Sequence, residues 1–368
     1  ISAKSSTGGQ IMPPIMGAAA FIMAEMTGYE YSDIIVRAIL PAFLYFLGIF
    51  LGVHFKAKKL GLVGLKREEL PKWKLLLPKI YLLLPLIILT WMVIAGQTMA
   101  KSAIYGTIVA IVVGIINKDD RMTPTKFVNG LENGGKNCLS IGIACGIAGI
   151  ISVCITMTGL GGKLITYVVK LSNGHLFIAL FLTMICCIIL GMGVPTTANY
   201  IIMASTCAPI LINGMGMHIL AANMFVFYFG IVADITPPVA LAAYAGSAIA
   251  KSRPMRTALN ASRLAIAAFL VPYVFALNPA MLFIDTVWYE VVLIAVSSFI
   301  GMISISVALE GYLIHEVNPL GRILCAAGGL ALLIPGTLSD LAGLVALAIV
   351  LAAQIIENKR RKSKASEG

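Results

Sequence analysis

Ile11-Met12-Pro13-Pro14-Ile15-Met16-Gly17-Ala18-Ala19-Ala20 returns 224 positions later as Ile235-Thr236-Pro237-Pro238-Val239-Ala240-Leu241-Ala242-Ala243-Tyr244. Both copies lie within long apolar stretches. A Pro-Pro pair removes two backbone donors and disfavours helix at the residue before it. Within lipid, such a break survives only where protein buries it or where it lines a cavity. Matching breaks in two halves of one chain are the signature of a secondary transporter built from internal repeats, with its ligands at the interruptions.

The composition agrees with a membrane setting. The 368 residues are 59% hydrophobic and only 12% charged, and the mean hydropathy is +0.95. An ordinary soluble domain carries about 25% charge. Apolar runs close to the roughly 20 residues that cross a bilayer fall at 33–55, 75–95, 102–117, 138–158, 219–250 (broken), 258–278, 285–309, 320–335 and 338–357. A tenth region, 175–213, is apolar but interrupted. The sequence therefore predicts an all-α, polytopic membrane protein.

The net charge of +11 is organised by loop. Residues 56–79 hold eight Lys and Arg, while 118–136, 251–263 and 359–364 hold four, four and five. The intervening loops are nearly bare of them or acidic, as at Glu25, Glu30, Asp33, Asp285 and Glu290. The positive-inside rule places the basic loops and the C-terminus in the cytoplasm, so the charge reports orientation and not nucleic-acid binding. A single crossing by 175–213 would leave Lys251, Arg253 and Arg256 outside. A re-entrant hairpin there puts every basic loop inside and makes the two Pro-Pro helices inverted copies. Thr123–Lys136 and Gly159–Gly174 read as short amphipathic segments at the membrane interface or as plain connections.

Seven cysteines without a C-x-x-C pair read as small hydrophobes, and four scattered histidines show no metal spacing. No signal peptide opens the chain. Ile1–Gly9 reads like the interior of a protein, so the expectation is a C-terminal portion whose first repeat has lost its front half.

Two regions can hold ligands. Ser5-Ser6-Thr7-Gly8-Gly9-Gln10 supplies three hydroxyls and one amide ahead of Pro13, which are neutral oxygens suited to a monovalent cation. The same residues also fit a polar helix cap before proline. The second region joins Gly191-Met192-Gly193-Val194-Pro195-Thr196-Thr197 and Asn199 to the break at Asp234-Ile235-Thr236-Pro237-Pro238. Asp234 is the only carboxylate between Glu132 and Asp285, and an ionisable residue at membrane depth is a functional candidate by default. It can ligate Na⁺, carry a proton, orient hydroxyls or cap the following half-helix. Arg37 is expected to snorkel to the interface, Asn199 and Asn223 can bridge helices, and Phe225–Phe229 reads as packing.

Ser6–Phe21, Gly191–Thr197 and Phe229–Pro238 closely resemble the large membrane subunit of tripartite ATP-independent periplasmic (TRAP) transporters. More narrowly they look like the fused permeases that serve TAXI-type binding proteins. The resemblance runs from Ser6 to about Pro279, and the helices over 285–357 look like an added C-terminal module. It implies Na⁺-driven uptake of an organic anion, usually a carboxylate such as a C4 or C5 dicarboxylate, delivered by an extracytoplasmic binding protein. It also implies an elevator motion of a transport domain against a scaffold in the inner membrane, with Na⁺ as coupling ion and no other cofactor. Carried over by position, one ion site draws on Ser6, Thr7, Gly8, Gly9 and Pro13. The other draws on Gly191, Gly193, Pro195, Thr196, Thr236 and Pro237, with Thr197, Asn199 and Asp234 as substrate candidates. The expected division is 1–32 as the remainder of the first transport repeat, 33–137 as scaffold and connecting helices, and 138–257 as the second repeat. A scaffold helix at 258–284 and the C-terminal helices with a basic tail at 285–368 complete it. A symporter needing no binding protein is the nearest alternative. An intramembrane enzyme using Asp234 is remote, since aspartyl chemistry wants a second carboxylate nearby.

Overall fold

The computed structural model describes residues 8–14, 16–62, 64, 74, 77–117, 120–237 and 240–366. Among them there are helices and no strands. Among the described residues six helices are long and apolar enough to cross a membrane, or seven if one bent pair is counted as a span. The protein is an all-α polytopic membrane protein.

At both Pro-Pro breaks the described residues are non-helical and lead into short helices. The first break leads into α1 (Ala18–Thr27), which ends on Gly28 in the left-handed conformation. Helix α2 (Tyr31–Lys59) is the first full span, carrying three lysines in its last turn, where positive charge offsets the helix dipole. A 3-10 turn (Leu77–Leu83) and α3 (Leu84–Ile94) pair with α4 (Met99–Ile116).

Helix α5 (Pro124–Met157) is continuous. The segment expected to lie at the interface over 123–136 is thus the first third of a helix that continues into the apolar run at 138–158. Gly159, at φ +66°, then turns the chain by 69° into α6 (Leu160–Ser172), a separate amphipathic helix in the place the sequence suggested.

The interrupted region 175–213 forms α7 (Leu176–Leu190), a tip at 191–195, and the returning pair α8 (Thr196–Thr206) and α9 (Ala208–Met215). Ala179 near the start of α7 and Ile210 of α9 share one buried cluster with Val168 of α6. The two arms therefore run antiparallel, with the tip at the far end.

Helix α10 (Ile219–Ala233) is the centre of the molecule. It is apolar all round, and every residue from Leu220 to Ala233 is buried, which marks a core helix and not an amphipathic surface one. Phe225, Phe229 and Tyr273 pack edge-on or tilted around it, so the aromatic run is packing. Beyond the second break lie α11 (Leu241–Ile249) and α12 (Pro254–Leu264). Helix α13 (Ile266–Leu277) follows α12 across a kink at Ala265 and packs on α2 and α10.

The C-terminal helices α14 (Trp288–Glu310), α15 (Pro319–Leu333) and α16 (Thr337–Ser366) pack in sequence, and α14 leans on α2. Small residues allow the approach: a Cβ on Gly329 would lie 3.0 Å from the Gly301 carbonyl. Close backbone contact of this kind is how helices associate where lipid removes the hydrophobic drive.

Charges sort the helix ends. Lys56 approaches Glu310 at 3.4 Å, Lys59 donates to the Glu310 carbonyl, and Arg263 and Arg322 both donate to the Leu309 carbonyl. At the same end His315 meets Asn358 of α16 at 2.9 Å. At the opposite end Arg37 donates to the carbonyls of Leu282 and Phe283 and lies 5.9 Å over the Tyr29 ring. Arg37 is thus a tie between α2 and the turn after α13, where the sequence suggested a snorkelling side chain.

Candidate functional site

The first break is a compact loop. Gly8 gives its carbonyl to the amides of Ile11 and Met12, and Gln10 gives its carbonyl to Gly17 at 3.2 Å. The Tyr31 hydroxyl of α2 donates to the Pro14 carbonyl. Gly8 is required by close approach, since a Cβ there would come within 2.6 Å of Phe46 and 2.8 Å of Tyr45. Gly9 is exposed and Pro13 half-buried on the same loop. Ser6 and Thr7, placed by resemblance in the first ion site, lie outside the described residues.

The hairpin tip is built around two glycines with different reasons. A Cβ on Gly191 would meet Asn199 Nδ2 at 2.7 Å and the Cys187 carbonyl at 2.9 Å, so space excludes a side chain. Gly193 has open space around it but holds φ +76°, a conformation that side chains resist. Pro195 then caps α8 without a side-chain bond, its carbonyl accepting from the Asn199 amide. The first amides of α8, with Thr196 and Thr197 half-buried in that turn, have no partner within the helix. They carry the positive end of its dipole, an arrangement suited to a carboxylate.

Asn199 joins the tip to the second break. Its Nδ2 donates to the Gly230 carbonyl at 3.1 Å, and a Cβ on Gly191 would also touch Ala233 at 2.9 Å. Hairpin tip and end of α10 therefore meet directly. Asp234 follows Ala233, half-buried, and no hydrogen bond or ion pair reaches its carboxylate among the described residues. Thr236 turns its hydroxyl back to the Val232 carbonyl at 2.7 Å, and the Ser262 hydroxyl of α12 holds the Ile235 carbonyl at 3.0 Å. Pro237 is half-buried, whereas Pro238 lies outside the described residues. The chain re-enters helix through Ala240 at φ +36°, an uncommon conformation for a residue with a Cβ. Asn223 bridges helices as the sequence allowed, accepting from the Tyr200 hydroxyl at 2.8 Å.

The structure thus brings Gly191, Asn199 and the end of α10 together, with Thr196, Thr197 and Asp234 on adjoining backbone. The first break reaches this group through α1, which packs against both α8 and α10. Six buried side-chain oxygens lack hydrogen-bond partners among the described residues, and two of them are amide carbonyl oxygens, Gln10 Oε1 and Asn199 Oδ1. One belongs to the first break and the other to the hairpin against the second. A buried acceptor without a donor costs about 1–3 kcal/mol, so an internal cation can offset a real deficit at each. Among the described residues no group of three or more His, Cys, Asp or Glu comes together. The oxygens on offer are neutral ones plus one carboxylate. Sequence reading singled out Asn199 as a substrate candidate and Gln10 only as part of its loop; burial, which no sequence displays, is what distinguishes these two amides.

Among curated proteins none matches the chain. Residues 1–289 match the family described as tripartite ATP-independent periplasmic transporter, DctM component. That stretch contains both breaks and the hairpin and ends at the start of α14. The chain belongs to the DctM family, the large membrane component of TRAP transporters.

Proposed function

We propose that this chain forms the permease part of a transporter that imports an organic carboxylate, of the C4 or C5 dicarboxylate class, together with Na⁺. The observation that carries this reading is the pair of Pro-Pro breaks, with one buried, unpartnered amide oxygen in the first and another on the hairpin against the second. Gly8, Gly9, Gln10 and Pro13, with Ser6 and Thr7 by resemblance, bind one Na⁺. Gly191, Gly193, Pro195, Thr196, Thr236, Pro237 and the Asn199 amide oxygen bind another. The α8 N-terminus, Thr197 and the Asp234 region hold the substrate between the hairpin and the broken helices. Asn199 then serves the ion more directly than the substrate.

The moving body in this reading contains α1, α7–α11 and the hairpin tip, sliding against α2 and α13. Substrate arrives from a TAXI-type extracytoplasmic binding protein. The basic helix ends, gathered at one end of the molecule, support a cytoplasmic C-terminus in an inner-membrane orientation. Uptake by the transporter containing this chain, reconstituted with its binding protein, tests the proposal. Accumulation that follows an imposed Na⁺ gradient is expected. Uptake that ignores Na⁺, or that proceeds equally without the binding protein, overturns the coupling or the partner respectively.

A further inference from the structure

A continuous apolar groove runs along α13. One stretch, of about 510 Å³, lies between α13, α14 and α15, and the next, of about 540 Å³, lies between α13, α15 and the hairpin helix α7. The two share Ile266, Leu270 and Leu330. Phe177 and Phe181 line the hairpin side. From Ile266 to Leu277 the groove floor rises about 16 Å at helical pitch, close to the half of a roughly 30 Å hydrocarbon core that one leaflet occupies.

The polar end of the groove is cationic. Arg263 lines one stretch and Arg322 the other, and both donate to the Leu309 carbonyl at the end of α14. Arg322 adds a bond from Nε to the Ala308 carbonyl at 2.9 Å. These bonds fix the two guanidinium groups beside each other and leave N–H donors over, since each guanidinium carries five. Neither arginine has a carboxylate partner among the described residues; Glu310, the nearby acid, is approached by Lys56. Two fixed, acid-free arginines at the basic end of a leaflet-length apolar groove are complementary to a phosphate headgroup with acyl chains below it.

We propose that this groove is a binding site for an anionic phospholipid of the leaflet at the basic end of the molecule. Arg263 and Arg322 hold the phosphate, and an acyl chain lies along α13 between α7 and α15. Floor and hairpin wall belong to the stretch that matches the DctM family, and α15 lies beyond residue 289. The lipid therefore bridges the family core and the C-terminal helices.

Native mass spectrometry of the purified, delipidated protein, offered phosphatidylglycerol or phosphatidylcholine, tests the site. One phosphatidylglycerol is expected to be retained in preference to phosphatidylcholine. Arg263→Gln with Arg322→Gln should weaken it roughly 30-fold, at about the value of one headgroup contact per arginine. Because those arginines also brace α14, a second variant, Leu330→Trp, fills the groove and leaves them intact; it should also abolish retention. Arg121→Gln with Lys126→Gln, basic residues outside the groove, should change nothing. Equal retention of the two lipids, retention undiminished in Leu330→Trp, or a protein that takes up inorganic phosphate at the same arginines in place of the lipid would each overturn the assignment.

Discussion

Asn199 Nδ2 donates to the Gly230 carbonyl at 3.1 Å, which leaves Asn199 Oδ1 buried without a partner. The hydrogen bond fixes which end of the amide faces the helix, and so which atom is left to face an ion. Asn199→Ala removes both the tie between α8 and α10 and the free oxygen. Half-maximal uptake is expected to need roughly tenfold more Na⁺, as for losing one hydrogen bond to a charged group. Thermal stability should fall by about 1 kcal/mol. A lowered melting temperature with unchanged Na⁺ dependence would reduce Asn199 to a structural tie.

The two tip glycines make opposite predictions for the same pair of substitutions. Gly191 lacks space, while Gly193 lacks only a permissive φ. Gly191→Ala and Gly191→Asn should both destabilise by overpacking, about 1–3 kcal/mol for alanine and more for asparagine. Gly193→Ala should cost about 1–2 kcal/mol, and Gly193→Asn less, since asparagine visits the left-handed region more readily. Melting temperatures of the four variants check the ordering. An equal response to Asn at both positions would contradict the tip geometry.

Periodicity and punctuation in the sequence encode the helical breaks and the hairpin. The paired Pro13-Pro14 and Pro237-Pro238 mark the breaks ahead of α1 and α11, and the placement of Lys251, Arg253 and Arg256 asks 175–213 to double back, as α7 and the pair α8–α9 do. Helix α5 runs longer than expected because its one proline, Pro124, is its first residue, and Gly130, Gly134 and Gly135 weaken the helix without ending it, although the polarity of that stretch suggests a separate element. The carbonyl partners of Arg37, Leu282 and Phe283, are 245 and 246 residues away, beyond the reach of any local pattern. The orphaned oxygens of Gln10 and Asn199 were also illegible, because burial depends on the packing of α1, α8 and α10 together.

Glu310 is 4% exposed at the end of α14, and Lys56, on α2, is its ion-pair partner at 3.4 Å. Lys56→Met strands a buried carboxylate, whereas Lys56→Met with Glu310→Gln removes the charge as well. An unpaired buried charge costs more than replacing both partners. The single variant is therefore expected to melt lower than the double, and its C-terminal helices to become more protease-sensitive. If the double variant melts no higher than the single, loss of Lys56 does not strand Glu310, and the pair is not what holds that carboxylate.

His218 caps α10 at the acidic end of the molecule. Its Nδ1 accepts from the Leu220 amide at 3.2 Å, and its Nε2 lies 3.2 Å from the Tyr29 hydroxyl. An accepting Nδ1 carries no proton, so the neutral ring donates through Nε2, and a second proton would have to enter at the cap. Burial first, then the Arg37 guanidinium, hold the imidazole below its ordinary value near 6.5, with Asp285 opposing. Because the folded value is the lower one, unfolded chains bind the proton first as the pH falls. The stability contributed by neutral His218 is therefore complete above about pH 6.5 and is lost as the pH drops through the depressed folded value. The melting temperature of the wild-type protein should fall as the pH drops below about 6.5. Asn is a good capping residue that does not titrate, so His218→Asn should keep the cap and flatten that part of the profile. A profile that Asn leaves unchanged would assign the acid sensitivity to another group. If the wild type shows no fall at all, the cap survives protonation, and the Nδ1 bond to Leu220 is not what His218 contributes.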